Sequence, residues 1–174
     1  KNHIDALKRL DSVAVSIDGP REINDPLRGV GSYDIAIEAV EFLKENGIQV
    51  RIHAVLTKKN IDVIFEHFIE LAERYNVGFN FCQYVLPDHH DSDQWHLEDT
   101  DVRGFYNLLK EKKKQYDEMV VNSIKAMDKV INWPDESKFT VTQEDFDRAG
   151  IKNSLQCQYG RQVCWIDSDG HLYS

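Results

Sequence analysis

Apolar positions in the first half of the chain switch between two periods. The run VAVSI, part of the stretch Ser12 to Ile17, is rich in β-branched residues and stops at Asp18-Gly19-Pro20, which predicts a strand closed by a turn. A polar stretch follows. Ile35, Ala36, Ala39, Val40 and Leu43 then recur at helical spacing between a Ser32 cap and an Asn46-Gly47 stop. Ile48 to Leu56 predicts a second strand. Beyond it, Asn60 can cap a helix whose apolar stripe is Ile61, Ile64, Phe65, Phe68, Leu71, Ala72 and Tyr75. Gly78 to Leu86 predicts a third strand.

Strand, helix, strand, helix, strand with short connections is the order of βαβ units, which bury a parallel sheet under helices. The periods alone fit either an open doubly wound sheet or part of a barrel. The strand faces lean toward the barrel. Side chains alternate along a strand, so Val50, Ile52, Ala54 and Leu56 oppose Arg51, His53, Val55 and Thr57, while Phe79, Phe81 and Val85 oppose Asn80, Cys82 and Tyr84. If the apolar faces meet the helices, Ser16, Asp18, Arg51, His53, Thr57, Asn80, Cys82 and Tyr84 line a common interior. Such a wall suits an active site.

The pattern changes after Leu86. Pro87 to Gln94 is polar, Thr100 to Tyr116 and Met119 to Ile131 predict helices, and Gln162 to Ile166 with His171 to Tyr173 predicts a hairpin around Asp167-Ser168-Asp169-Gly170. The expected division is 1–86 for the barrel half, 87–150 for a helical connector and 151–174 for the start of an extension. Lys1 is not a methionine, and Asn2 to Leu10 reads as the end of a helix, so further sequence is expected upstream.

Composition narrows the classes. With 174 residues, 41% hydrophobic and 29% charged, the chain can bury one core but not two catalytic domains. A net charge of -9 disfavours nucleic acid, the only basic run being Lys110, Lys112, Lys113 and Lys114. No window reaches the roughly 18 apolar residues of a membrane span, and a cytoplasmic address is expected. Three cysteines do not make a disulfide framework, so they are read as thiols or metal ligands.

Three features carry chemistry together. The first is Ser16-Ile17-Asp18-Gly19 at the C-terminal end of a strand, where parallel α/β folds bind ligands; by itself it reads equally as a turn. Next comes Asn24-Asp25-Pro26-Leu27-Arg28-Gly29-Val30-Gly31-Ser32, read as a glycine loop before a helix N-terminus, where free amides and a guanidinium suit a carboxylate. The last is Cys157, twelve residues, Gly170 and four more residues to Ser174.

In combination these resemble radical-SAM enzymes with a SPASM- or twitch-type C-terminal extension. There an S-x-D-G strand end precedes an R-G-x-G-S loop, and a cysteine, a spacer and a glycine open the extension. The resemblance implies the second half of a partial (β/α)6 TIM-like barrel, followed by a mostly helical segment and a C-terminal β-hairpin. It implies S-adenosylmethionine and a 4Fe-4S cluster as cofactors, together with a possible auxiliary iron-sulfur cluster. The ligands of the first cluster would lie upstream, since no C-x-x-x-C-x-x-C spacing occurs here. It further implies that Ser16 and Arg28 contact the ribose and carboxylate of S-adenosylmethionine, that Asp18 shapes the loop, that Val55 lies near the adenine, and that Cys157 is a metal ligand. Partners would be a peptide or small-molecule substrate and a reductant such as ferredoxin or flavodoxin.

Strand parity, independently of the resemblance, makes His53, Asn80 and Tyr84 substrate-wall candidates. Cys82 and Cys164 read as small buried hydrophobes. His89, His90, Asp91, Asp93 and His96 read as solvated loop residues. Two other classes remain open: a non-catalytic βα module that binds a nucleotide or partner, and a barrel hydrolase using His53 and Asp18. A half barrel would also expose a strand edge, so dimerisation is expected.

Overall fold

The computed structural model describes residues 4–83, 95–133, 142–148, 150, 165–166 and 172–173. They divide into two compact units, Lys1–Ile131 and Asn132–Ser174. Elements of the first are α1 (Ile4–Leu7), β1 (Val13–Ser16), α2 (Arg21–Arg28), α3 (Ser32–Glu45), β2 (Val50–Leu56), α4 (Ile64–Tyr75), β3 (Gly78–Gln83), α5 (Asp99–Lys113) and α6 (Ile124–Ile131). In the second, α7 (Gln143–Arg148) is followed by β4 (Trp165–Ile166) and β5 (Leu172–Tyr173), which pair antiparallel. The Thr142 hydroxyl and the Asp145 carboxylate close a reciprocal cap at the start of α7.

The three long strands form a parallel sheet in the order β1-β2-β3. Burial follows the predicted parity: Val50, Ile52, Ala54, Leu56, Phe79 and Phe81 are buried, and the residues between them on β2 and β3 are partly or fully exposed. The apolar face meets Val40 and Leu43 of α3 and Phe65 and Phe68 of α4 in one core. Phe68 lies between Phe79 at 5.6 Å and Phe81 at 5.2 Å, and Phe105 of α5 stands edge-on to Phe81 at 5.0 Å. Each such ring withdraws enough apolar area to contribute about 1.5–3 kcal/mol. Val102, Phe105, Tyr106 and Leu109 complete this core, so α5 packs with the sheet inside the first compact unit.

Two expected elements differ. The segment read as the start of a helix at Met119 is extended and lies parallel to β3: Phe79 N donates to Met119 O at 2.7 Å, and Val121 N donates to Phe79 O at 2.8 Å. Asn122 continues the ladder with its side chain, Oδ1 accepting from Phe81 N and Nδ2 donating to Phe81 O, both at 2.9 Å. Only from Ile124 does the helix begin. The outer edge of β3 is therefore satisfied along Phe79 and Phe81. The other difference is α2, which occupies most of the stretch read as a polar loop. Ile23 N and Asn24 N donate to Pro20 O, so Pro20 starts the turn, and Pro26 forfeits only the bond to the Glu22 carbonyl.

The close approach at β3 requires Gly78, because a Cβ there would stand 2.8 Å from Val121 Cγ2 and 3.4 Å from Met119 O. Gly78→Ala is expected to lower stability by about 1–3 kcal/mol, the cost of forced overpacking, in urea denaturation. A variant as stable as the parent would show that Met119–Asn122 does not pack there in solution.

Candidate functional site

The site forms where β1 and β2 end, and Asp18 is its centre. Its carboxylate is buried, with Oδ1 accepting from Val55 N at 2.9 Å and Oδ2 accepting from Arg28 Nε at 2.6 Å. Two asparagines hold its backbone. Asp18 N donates to Asn24 Oδ1 at 2.8 Å, and Asp18 O accepts from Asn60 Nδ2 at 2.9 Å. Gly19 follows at φ 137, a conformation side-chain-bearing residues rarely adopt, and so turns the chain directly from β1 into α2.

Asn60 was read as a helix cap, and the structure corrects this. Its carbonyl accepts the Ile64 amide, but its fully buried side chain ties strand ends together: Nδ2 also donates to Val55 O at 2.8 Å, and Oδ1 accepts from Thr57 N at 2.8 Å. Backbone groups of Asp18, Val55 and Thr57 are thereby satisfied by two buried amides. Sequence reasoning missed Asn24 and Asn60 in this role, for a lone asparagine after a strand carries no distinguishing signal.

The amides read as a free anion cradle before α3 are already occupied. Asp25 Oδ2 accepts from Gly31 N at 2.9 Å, and Oδ1 accepts from Tyr33 N at 2.9 Å and from the Ser32 hydroxyl at 3.3 Å. The cap of α3 is thus the Asp25 carboxylate acting from α2, rather than Ser32. These donors, Tyr33 N first and Gly31 N second, hold the Asp25 carboxyl below the usual range. What remains of the proposed carboxylate site is Arg28. Its Nε is committed to Asp18, its side chain is 34% exposed, and its two Nη groups have no partner among the described residues.

On the mixed face, register places Ser16, His53 and Asn80 in one row across the sheet, with Val55 and Cys82 paired in the row above. Asn80 Nδ2 donates to His53 Nδ1 at 2.6 Å, and Cys82 Sγ lies 3.3 Å from His53 Nε2. Cys82 is half-buried and engaged by histidine, not the inert hydrophobe expected. Of the sequence candidates, Ser16, Asp18, Arg28, Val55, His53 and Asn80 therefore share one side of the sheet or its C-terminal rim. Tyr84, Cys157, Cys164, His89, His90, Asp91 and Asp93 lie outside the described residues.

S-adenosylmethionine can be tested against these groups. A free guanidinium edge, the half-buried Ser16 and the half-buried apolar Val55 match an α-carboxylate, a ribose and a purine in chemistry. An iron-sulfur cluster does not fit here: no three His, Cys, Asp or Glu residues gather among the described residues. Among the described residues, no helix is long and apolar enough to cross a membrane.

The fold and site define a parallel βαβ protein with one polar sheet face and a hydrogen-bonded polar rim at the ends of β1 and β2. No family model matches the chain. Over 164 residues, 93% of the chain, it is 29% identical to the mycofactocin maturase MftC of Mycolicibacterium smegmatis, and it spans 38% of that protein's length. Streptococcus suis SuiB bound to S-adenosylmethionine shares its fold with a TM-score of 0.57 at 19% identity, over 69% of this chain and 29% of that one. Native anSMEcpe with bound AdoMet does so with a TM-score of 0.53 at 16% identity, over 68% and 35%. These similarities support a relationship to radical-SAM proteins, in agreement with the motifs of the chain.

Two substitutions test the rim. Asn60→Leu leaves Thr57 N, Asp18 O and Val55 O without their partner, and an expected loss of about 2–4 kcal/mol is readable by urea denaturation. Asp25→Ala should lower the melting temperature at pH 7. Since the folded carboxyl is depressed, its contribution is complete above the unfolded value of about 3.9 and vanishes as pH falls through the folded value. The gap between parent and variant should therefore close in acid; a constant gap would contradict the capping role.

Proposed function

We propose that this chain is part of a radical-SAM enzyme that modifies a peptide or a cofactor precursor. When bound, S-adenosylmethionine supplies a 5'-deoxyadenosyl radical on reductive cleavage, with the electron coming through a 4Fe-4S cluster held by residues outside this chain. The observation that carries the reading is the Asp18–Arg28 pair at the end of β1, which leaves the guanidinium edge open in a chain related to MftC.

In this reading Arg28 holds the α-carboxylate, Asp18 fixes Arg28 and the Val55 amide, Ser16 meets the ribose and Val55 the adenine. His53, Asn80 and Tyr84 face the substrate, and Cys157 is a ligand of an auxiliary cluster in a SPASM- or twitch-type extension. The division at 86 and 150 belongs to the same proposal. A peptide substrate is favoured because MftC is a maturase and because anSMEcpe has been solved with AdoMet and a peptide bound. A ferredoxin- or flavodoxin-type donor would supply the electron, and the reaction would take place in the cytoplasm.

Anaerobic iron-sulfur reconstitution of the whole protein that carries this chain, followed by dithionite and S-adenosylmethionine, should yield 5'-deoxyadenosine. The 174-residue chain by itself should yield none. Arg28→Ala should raise the KM for S-adenosylmethionine about tenfold or more, the worth of a charge-assisted hydrogen-bond pair. A cluster-loaded protein that binds the nucleotide but forms no 5'-deoxyadenosine would make it a non-catalytic βα module instead.

A further inference from the structure

Cys82 has a partnership that packing alone does not explain. On β3 it shares its face with Asn80 and opposes Phe79 and Phe81, so its thiol points away from the apolar core. His53 of β2 bridges these two residues. Because Asn80 Nδ2 donates to Nδ1, the neutral ring carries its hydrogen on Nε2, and that hydrogen is directed at Cys82 Sγ. The sulfur accepts this bond, which leaves the thiol's own hydrogen free to point elsewhere on the wall.

We propose that Cys82, His53 and Asn80 form a proton-transfer site, with the Cys82 thiol as donor to a substrate atom that gains negative charge during the reaction. The inference rests on the reading that this wall faces the substrate. In the step, the S–H bond breaks, its electron pair stays on sulfur, and a bond from hydrogen to the substrate's carbon, oxygen or nitrogen forms. The Nε2–H of His53 stabilises the resulting thiolate, Asn80 fixes the tautomer that provides that hydrogen, and water returns a proton to sulfur afterwards. No change of oxidation state is involved.

The surroundings favour a donor over a nucleophile. Burial raises the thiol's pKa, Asp18 at the end of β1 raises it further, and Arg28 on α2 opposes them, so the group stays protonated at neutral pH. Tyr106 of α5, whose hydroxyl donates to Phe81 O at 3.2 Å, is the other titratable group coupled to the thiol, and burial keeps it protonated as well. A thiol that must release a proton only against a developing charge is suited to this setting.

Alkylation of Cys82 by iodoacetamide between about pH 6 and 10 in the whole protein that carries this chain, without added S-adenosylmethionine and read by peptide mass spectrometry so that every other cysteine is scored separately, tests the array. His53→Phe should slow Cys82 alkylation at pH 8 about tenfold, equivalent to one unit of thiol pKa. His53→Gln, which retains an amide donor, should recover most of it. Asn80→Asp makes the ring more basic and should speed alkylation instead. Equal rates in the parent, His53→Phe and Asn80→Asp proteins would overturn the proposal. In the whole enzyme, Cys82→Ala should lower product formed per 5'-deoxyadenosine at least about tenfold; an undiminished ratio would equally overturn it. A parent that forms no 5'-deoxyadenosine would count against the functional reading, and the alkylation series would still decide the array.

Discussion

Asp18 is withdrawn from water at the end of β1, and a buried carboxylate in that position persists only if its oxygens are matched by donors. Val55 N and Arg28 Nε supply them, one from the neighbouring strand and one from the helix that follows. These two bonds join β1, β2 and α2 at one point. Asn24 and Asn60 close the same point through the backbone of Asp18, and Asp25, next along α2, caps α3. The rim is therefore a connected polar network whose members fix each other, and Arg28 is presented from it with an Nη edge that meets no partner among the described residues. A group held in this way needs little reorganisation to meet an anion.

The network can sit at the strand ends because the rest of the sheet is committed elsewhere. Phe68, Phe79, Phe81 and Phe105 fill the helix-facing side, and the Met119–Asn122 segment satisfies the far edge of β3. That leaves the mixed face, with Ser16, His53, Asn80 and Cys82, as the surface on which polar groups gather.

The strands and the two central helices were legible because period 2 and period 3.6 are imposed by burial on one face, and Ile52, Phe79 and Phe68 obey it strictly. Parity also brought His53 and Asn80 together in advance. α2 was not legible: Ile23 and Leu27 are too few to set a helical period beside Pro26 and the polar Arg21, Glu22, Asn24 and Asp25, and the helix is held because Asp18 bonds to Asn24 and Arg28 while Asp25 bonds forward to the start of α3. Met119–Asn122 misled because its apolar residues match a helix stripe as well as a strand beside β3. Asn60 and Asn24 were invisible because their roles depend on partners 42 and 6 residues away.

The most direct measurement of the Asp18-centred account is equilibrium binding of S-adenosylmethionine to the whole protein and to its Asp18→Asn variant, with the fold monitored by circular dichroism. With an amide in place of the carboxylate a single acceptor oxygen is left for two donors and the charge opposite Arg28 is lost, so Arg28 and the Val55 amide cannot both be held and affinity should fall at least about tenfold in a variant that keeps its secondary structure. Unchanged affinity in a folded variant would show that the rim is organised by something other than Asp18.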